Sequence, residues 1–316
     1  MRPIVSPGGR PEPRARPARA EAAGPGRSPA RGARAASPRS GSGMTVRRLV
    51  REAGDGYSSR LAPGVRSIAD AERLAHELAF AAARLGVLAQ SPPGPYAEVA
   101  DPAGDVEERT WLAFQIALLG PLQDPADGDP FAAIAAVRTS WASGAAPALT
   151  DAALGPRGCG DAARGARACD AYRAWTARLG SQTAAIMGEA SWSAPRRFDR
   201  AFERLGTLAS LERDPRFELL VTLDRLGVHD LRGERLHFGS GDPVTLAAKR
   251  ILGIGDPLLL ERRAADLAEA CGLPLEALDL GFFNWERGSR YAGGVDPGLA
   301  ADPATVEAAR AALGLD

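Results

Sequence analysis

The chain has 316 residues, of which 45% are hydrophobic and 25% are charged, and its formal net charge is zero. This composition is that of an ordinary globular protein and excludes collagen-like and wholly disordered chains. The length fits one large domain or two small ones. We find no stretch typical of a transmembrane helix and no apolar segment of a secretory signal. Because the three cysteines are few and scattered, we predict no disulfide framework. Together these features predict a cytoplasmic location and no membrane partner.

The charge is unevenly distributed. Residues 1–43 contain nine arginines and two glutamates, a net charge of +7, which leaves 30 basic and 37 acidic residues in the remainder. This segment consists almost entirely of Pro, Arg, Ala, Gly and Ser, so we predict that it is disordered. It is either a basic arm that contacts nucleic acid or a stretch upstream of a true start at Met44. We assign residues 44–64 to a linker or short helix and residues 65–316 to the folded domain.

The apolar periodicity along the chain predicts helices and no clear strand. At most, residues 231–238 form a short extended segment. Small, glycine-rich residues 145–168 lack periodicity, which predicts a flexible loop. Asp70 is a possible N-cap of the first helix, and Asp302 and Gly314 bound the last one. The class is therefore all-α, with predicted helices at 69–89, 105–120, 130–142, 169–188, 193–205, 214–227, 242–252, 256–271, 274–287 and 302–314.

The stretch from 242 to 271 contains the most informative motif. Two predicted helices are joined by Gly253-Ile254-Gly255, which is similar to the helix–hairpin–helix element of DNA-binding proteins. Glycines allow a tight turn, and amides at the start of the second helix can hold a phosphate. Asp256 places a carboxylate where a phosphate would dock, although it can instead cap the second helix ahead of Pro257. The hairpin is thus either a phosphate-binding element or a structural connection.

Six segments of the chain carry a joint resemblance, namely 107–111, 129–131, 192–205, 223–228, 247–256 and 278–285. Together they resemble one known family, the α-glutamyl/putrescinyl thymine pyrophosphorylase clade 3 domain, over about residues 65–290. The resemblance implies an all-helical domain related to helix–hairpin–helix DNA glycosylases. It also implies a reaction in which an amine displaces pyrophosphate from a hydroxymethylated thymine in DNA. The implied partners are DNA and an amine co-substrate such as glutamate or putrescine.

That reaction sets chemical requirements, and we assign candidate residues to each. The base must leave the duplex, the pyrophosphate needs cations, and the amine must lose a proton. No metal or nucleotide cofactor is expected, since no nucleotide-binding loop motif is present. The catalytic candidates are Lys249 (the sole lysine), Asp256 and Asp279. The phosphate- or DNA-binding candidates are Arg196, Arg200, Arg250, Gly253, Gly255, Arg262 and Arg263. The base-stacking candidates are Trp192 and Trp285.

Each candidate also has a structural interpretation. Arg196 and Arg200 fit a solvated helix face, Trp192 and Trp285 fit a core, and a buried Asp279 fits a salt bridge between helices.

Two other functions remain open, a non-catalytic helical module that binds DNA or protein and a glycosylase-like base-excision enzyme. In the glycosylase-like alternative, Asp279 stabilises a sugar cation and Lys249 attacks it. A concave pocket shared by Lys249, Asp256 and Asp279 would favour an enzyme, and divergent side chains would favour a binding module.

Overall fold

A computed structural model describes residues 55–125, 128–239 and 241–315. Within these ranges the chain forms twelve helices and no strand, which confirms the all-α class. No helix in these ranges is long and apolar enough to cross a membrane. The predicted disordered tail 1–43 and Met44 lie outside the described residues. The helices are α1 Ile68–Gln90, α2 Pro95–Ala100, α3 Val106–Leu119, α4 Ala132–Val137, α5 Ala162–Leu179, α6 Gln182–Met187, α7 Ala194–Leu205, α8 Arg213–Arg225, α9 Pro243–Leu252, α10 Pro257–Ala270, α11 Ala277–Arg287 and α12 Pro303–Leu313.

Most helices begin at a side chain that caps them. An oxygen of each capping side chain accepts a hydrogen bond from a first-turn amide, which satisfies a donor that the helix leaves free. Ser67 rather than Asp70 caps α1, and Asp70 instead pairs with Arg73 at 3.0 Å. The capping residues are Ser67, Asp105, Asp161, Ser181, Asp242, Asp256 and Asp302.

The core is built around α1, which packs against α11 and α12, while α11 also packs against α9 and α3 packs against α8. Gly281 of α11 faces α1 so closely that a Cβ there would lie 2.7 Å from the Leu78 side chain. An aromatic stack adds to the core beside α3, where the rings of Phe114 and Tyr172 are 4.0 Å apart. These contacts bury the apolar stripes that the sequence periodicity indicates.

The glycine-rich stretch predicted as a flexible loop is instead packed against the end of α3. The amides of Gly155 and Cys159 donate to the carbonyls of Leu119 and Leu118 at 2.8 and 2.7 Å. A Cβ at Gly155 would lie 2.2 Å from a backbone oxygen, so the missing side chains permit direct backbone packing. This packing buries Arg157 in the interior.

Two predicted helices also differ from the structure in their bounds. The helix predicted at 169–188 begins earlier, at Ala162, and is divided into α5 and α6 by Gly180, whose φ is +92°. The helix predicted at 130–142 is limited to α4. The described part of the predicted linker, residues 55–64, contains no helix. It packs on α9 through a hydrogen bond from the Gly64 amide to the Ile251 carbonyl at 2.8 Å.

Candidate nucleic-acid interface

The hairpin between α9 and α10 has the backbone geometry of an open turn. Gly253 ends α9 in the left-handed region with φ +67°, and its amide donates to the Lys249 carbonyl at 3.0 Å. Asp256 caps α10 by accepting from the Leu259 amide at 3.0 Å. Around Gly255, a Cβ would meet nothing within 4 Å. The amides of Ile254 and Gly255 donate to no group among the described residues, so they are available to an external acceptor.

Basic side chains flank this turn on both helices. Arg262 and Arg263 of α10 are exposed and Lys249 of α9 is partly buried. None of the three forms an ion pair with a described residue. Arg250 differs, because it pairs with Glu286 and lies 5.7 Å from the Trp285 ring. The predicted phosphate-binding residues of the hairpin therefore lie on one continuous stretch of chain. Two of them, Arg262 and Arg263, form no ion pair with a described residue, and neither does Lys249, a predicted catalytic residue.

Asp279, one of the predicted catalytic residues, lies in a buried network of charges. Its carboxylate is 2% exposed and pairs with Arg157 and with Arg213, the latter at 2.6 Å. Burial alone would raise the pKa of Asp279, but the two guanidinium groups outweigh it and lower that pKa. The carboxylate therefore stays ionised and paired, as the structural interpretation of this residue expects.

The same network fixes the backbone of a neighbouring loop. Arg213 donates from its guanidinium to the carbonyls of Leu236 and His237, the second at 3.3 Å. It also lies 3.1 Å from Asp214, its neighbour in α8. By pairing with Arg213, Asp279 holds the guanidinium group that in turn positions the backbone of residues 236–237.

The cavity beside Asp279 contains neither of the other two predicted catalytic side chains, Lys249 and Asp256. Its volume is about 10 Å³, at the lower limit for a single water molecule. Lys249 and Asp256 also line none of four larger cavities, whose volumes run from about 320 to about 780 Å³. The one of about 780 Å³, lined mainly by residues of 122–125, 128–131 and 290–297, contains no predicted site residue. These cavities therefore do not bring the three side chains together.

The two predicted stacking residues are in the protein interior. Trp192 is 7% exposed, and the guanidinium groups of Arg196 and Arg204 lie 5.2 and 5.1 Å from the centre of its ring. Trp285 is 5% exposed, and its indole N–H donates to the Asp70 carbonyl at 2.9 Å. Neither ring presents a free face to a base in this conformation.

The predicted basic face of α7 is partly neutralised within the chain. Arg200 pairs with Glu203 at 2.8 Å, and Arg196 is exposed above the Trp192 ring. Both arrangements match a solvated helix face that also covers an apolar ring.

Sequence reasoning missed a basic cleft that lies next to the start of α10. We call it the α10 cleft, with a volume of about 460 Å³. Its cationic side chains come from α8 and from the 235–239 loop, and no periodic signal in the sequence connects them. His237 has a left-handed backbone with φ +52°, which sequence alone does not reveal. The residues that line it include Phe202, Gly206, Arg213, Arg216, Arg235, His237, Leu258 and Glu261.

Comparison with known protein families, with curated proteins and with solved structures finds no match to this chain.

Proposed function

We propose that the helical domain binds DNA and that the α9–α10 hairpin holds a backbone phosphate. The observation that carries this proposal is the open pair of amides at Ile254 and Gly255, flanked by cations without ion-pair partners. Backbone amides without partners that directly precede a helix can hold a phosphate with the help of the helix dipole, and unpaired basic side chains add electrostatic attraction.

Exposed apolar side chains beside the turn support the same surface. Leu258 and Leu259, in the first turn of α10, are 74% and 51% exposed. Proteins that follow the minor groove place such side chains against sugars and base steps, where water is displaced from apolar edges. A phosphate held at Gly255 would bring the adjoining nucleotides to these two leucines.

The proposal is tested by placing a charge in the turn without changing the packing. Gly255→Glu and Gly255→Gln introduce side chains of the same size into open space, and they differ in charge alone. Binding of the full chain to a fluorescent DNA hairpin is measured by anisotropy. We expect Gly255→Glu to weaken binding about tenfold relative to Gly255→Gln, because a carboxylate repels the phosphate.

Equal affinities for the two variants would mean that no phosphate lies at the turn. The hairpin would then be a structural connection, and a protein partner would be the better interpretation of this surface. The basic residues 1–43 are unchanged in both variants, so their contribution cancels in the comparison.

The base-modifying reaction implied by the family resemblance, together with its amine co-substrate, stays a prediction. The glycosylase-like reaction also stays a prediction. Their expected catalytic side chains share no described cavity, and DNA binding at the hairpin requires neither reaction. The cytoplasmic location is likewise a prediction from the sequence.

A further inference from the structure

The α10 cleft contains a guanidinium group that is partly buried and lacks an acidic partner. Arg216 forms no ion pair with any described residue, and its donors reach only the carbonyls of Glu212 and Phe202, at 3.0 and 3.4 Å. Burial and the nearby charge of Arg213 lower the pKa of Arg216. The guanidinium group also lies 4.4 Å from the centre of the Phe202 ring. Because charges withdrawn from water are normally paired, Arg216 is a cation that could still take an ion-pair partner.

The remaining charges of the cleft do not supply the missing partner. Arg235 is exposed at the edge of the cleft and forms no ion pair with a described residue. Both carboxylate oxygens of Glu261 accept backbone amides, from Leu236 at 2.8 Å and from Phe238 at 2.9 Å. The Glu203 carboxylate pairs outward with Arg200. These acidic side chains of the walls are therefore engaged, while Arg216 and Arg235 have no ion-pair partner among the described residues.

The walls give the cleft a fixed shape. The Phe202 ring stacks on His237 with centroids 4.2 Å apart, and His237 Nε2 lies 2.8 Å from an Asp199 oxygen. The backbone of the loop is held by Arg213. Gly206 leaves the space through which Arg216 enters, since a Cβ there would lie 2.3 Å from Arg216 Nη1. The cleft is thus a preformed cationic cavity with aromatic walls.

We propose that the α10 cleft binds a phosphate monoester, with Arg216 as the principal ligand and Arg235 as a second. A planar guanidinium binds two phosphate oxygens at once, and the volume of about 460 Å³ exceeds that of the phosphate alone. The group can belong to the end of a nucleic-acid strand or to a free nucleotide. This site is separate from the hairpin and goes beyond the proposed contact with internal phosphates.

The first test uses inorganic phosphate as the probe on the full chain. Arg216→Met keeps the length and apolar stem of the side chain and removes its charge. We expect phosphate to raise the melting temperature of the unaltered protein. For Arg216→Met, the same rise should require a phosphate concentration at least tenfold higher. Without phosphate, Arg216→Met should be as stable as the unaltered chain, because an unpaired cation is removed.

A matched pair of variants keeps the test decisive. Gly206→Ala displaces the tip of Arg216, places the new methyl group 3.1 Å from the Glu203 carbonyl oxygen and should also weaken phosphate binding. Arg178→Ala, an exposed change on α5, should leave phosphate binding unchanged. The absence of stabilisation by phosphate, or its persistence in both cleft variants, would overturn the proposal. Loss of DNA binding in Gly255→Glu with an intact phosphate response would show that the two sites are independent.

Two further arms identify the source of the phosphate. One compares a 5′-phosphorylated oligonucleotide with its 5′-hydroxyl form, and the other compares a nucleoside monophosphate with the nucleoside. Preference for the phosphorylated member in either pair, lost in Arg216→Met, supports the site and names the source. Equal binding of both members in both pairs would contradict a monoester site.

Discussion

At the scale of single residues, Asp279 shows how burial decides a role. The carboxylate lies between Arg157 and Arg213, and neutralising it takes from each buried guanidinium group its nearest carboxylate. The next, Asp214, lies 3.8 Å from Arg157 and 3.1 Å from Arg213. We expect Asp279→Asn to lower the free energy of unfolding by about 3–5 kcal/mol. Glu269→Gln, an exposed change on α10, should stay within about 0.5 kcal/mol. Urea unfolding measures both, and an unchanged stability of Asp279→Asn would contradict a structural role.

His229 predicts a dependence of stability on pH. Its Nε2 lies 3.0 Å from Thr110 Oγ1, and the Thr110 hydroxyl donates to the Val106 carbonyl. The hydroxyl oxygen must therefore accept from a neutral imidazole with its proton on Nε2. Burial lowers the pKa of His229 to about 4, so the unfolded chain binds the proton more readily below pH 6.5.

Stability from this residue is therefore present at neutral pH and is lost as the pH falls from 6.5 towards 4. The loss should reach about 2 kcal/mol at pH 5. His229→Gln keeps a donor for Thr110 and does not titrate, so the difference between the two proteins isolates the histidine. The prediction is refuted if the free energy of unfolding changes equally in the two proteins between pH 7 and pH 5.

At single residues, prediction from the sequence succeeded where the neighbours of a side chain along the chain indicated its role. The alternative that Asp279 forms a salt bridge between helices follows from its apolar neighbours, Leu278 and Leu280, since a buried carboxylate needs a partner. Its partner Arg157 could not be predicted, because it lies in a glycine-rich stretch without periodicity. The left-handed conformation of His237 leaves no sequence signal.

At the scale of elements, the hairpin combines capping with a surface charge. Asp256 caps α10 and places its carboxylate beside the open amides. Asn caps a helix as well as Asp does, so Asp256→Asn should alter stability by less than about 0.5 kcal/mol. Removing one repulsive charge should raise DNA affinity about threefold. Anisotropy titrations check this, and unchanged or weaker binding would contradict a phosphate at the turn.

Element prediction worked where amphipathic periodicity and capping coincide. The helices from α7 to α12 match the predicted ranges closely because caps such as Asp302 and stops such as Gly314 bound their apolar stripes. The α5–α6 region was predicted less well. Just before it, Gly155 and Gly158 pack against the backbone at the end of α3, and this tertiary contact has no period in the sequence.

At the scale of the whole molecule, charge is segregated rather than absent. The net charge of zero combines a basic first segment with an acidic remainder, so general coating of DNA by the helical domain is disfavoured. Specific contact must come from local cations, and the hairpin and the α10 cleft are two places where such cations lack acidic partners. The cleft was not predicted because α8 and the 235–239 loop are brought together only by folding.

The most direct test of the central claim is the salt dependence of DNA binding by the full chain. Arg262→Ala with Arg263→Ala is compared with Arg178→Ala with Arg232→Ala, four exposed arginines that form no ion pair with described residues. The slope of log affinity against log salt should fall by about 2 for the hairpin pair, since each phosphate contact contributes about 0.9. The control pair should keep the slope of the unaltered chain. Equal slopes for the two double variants would contradict phosphate binding by the hairpin.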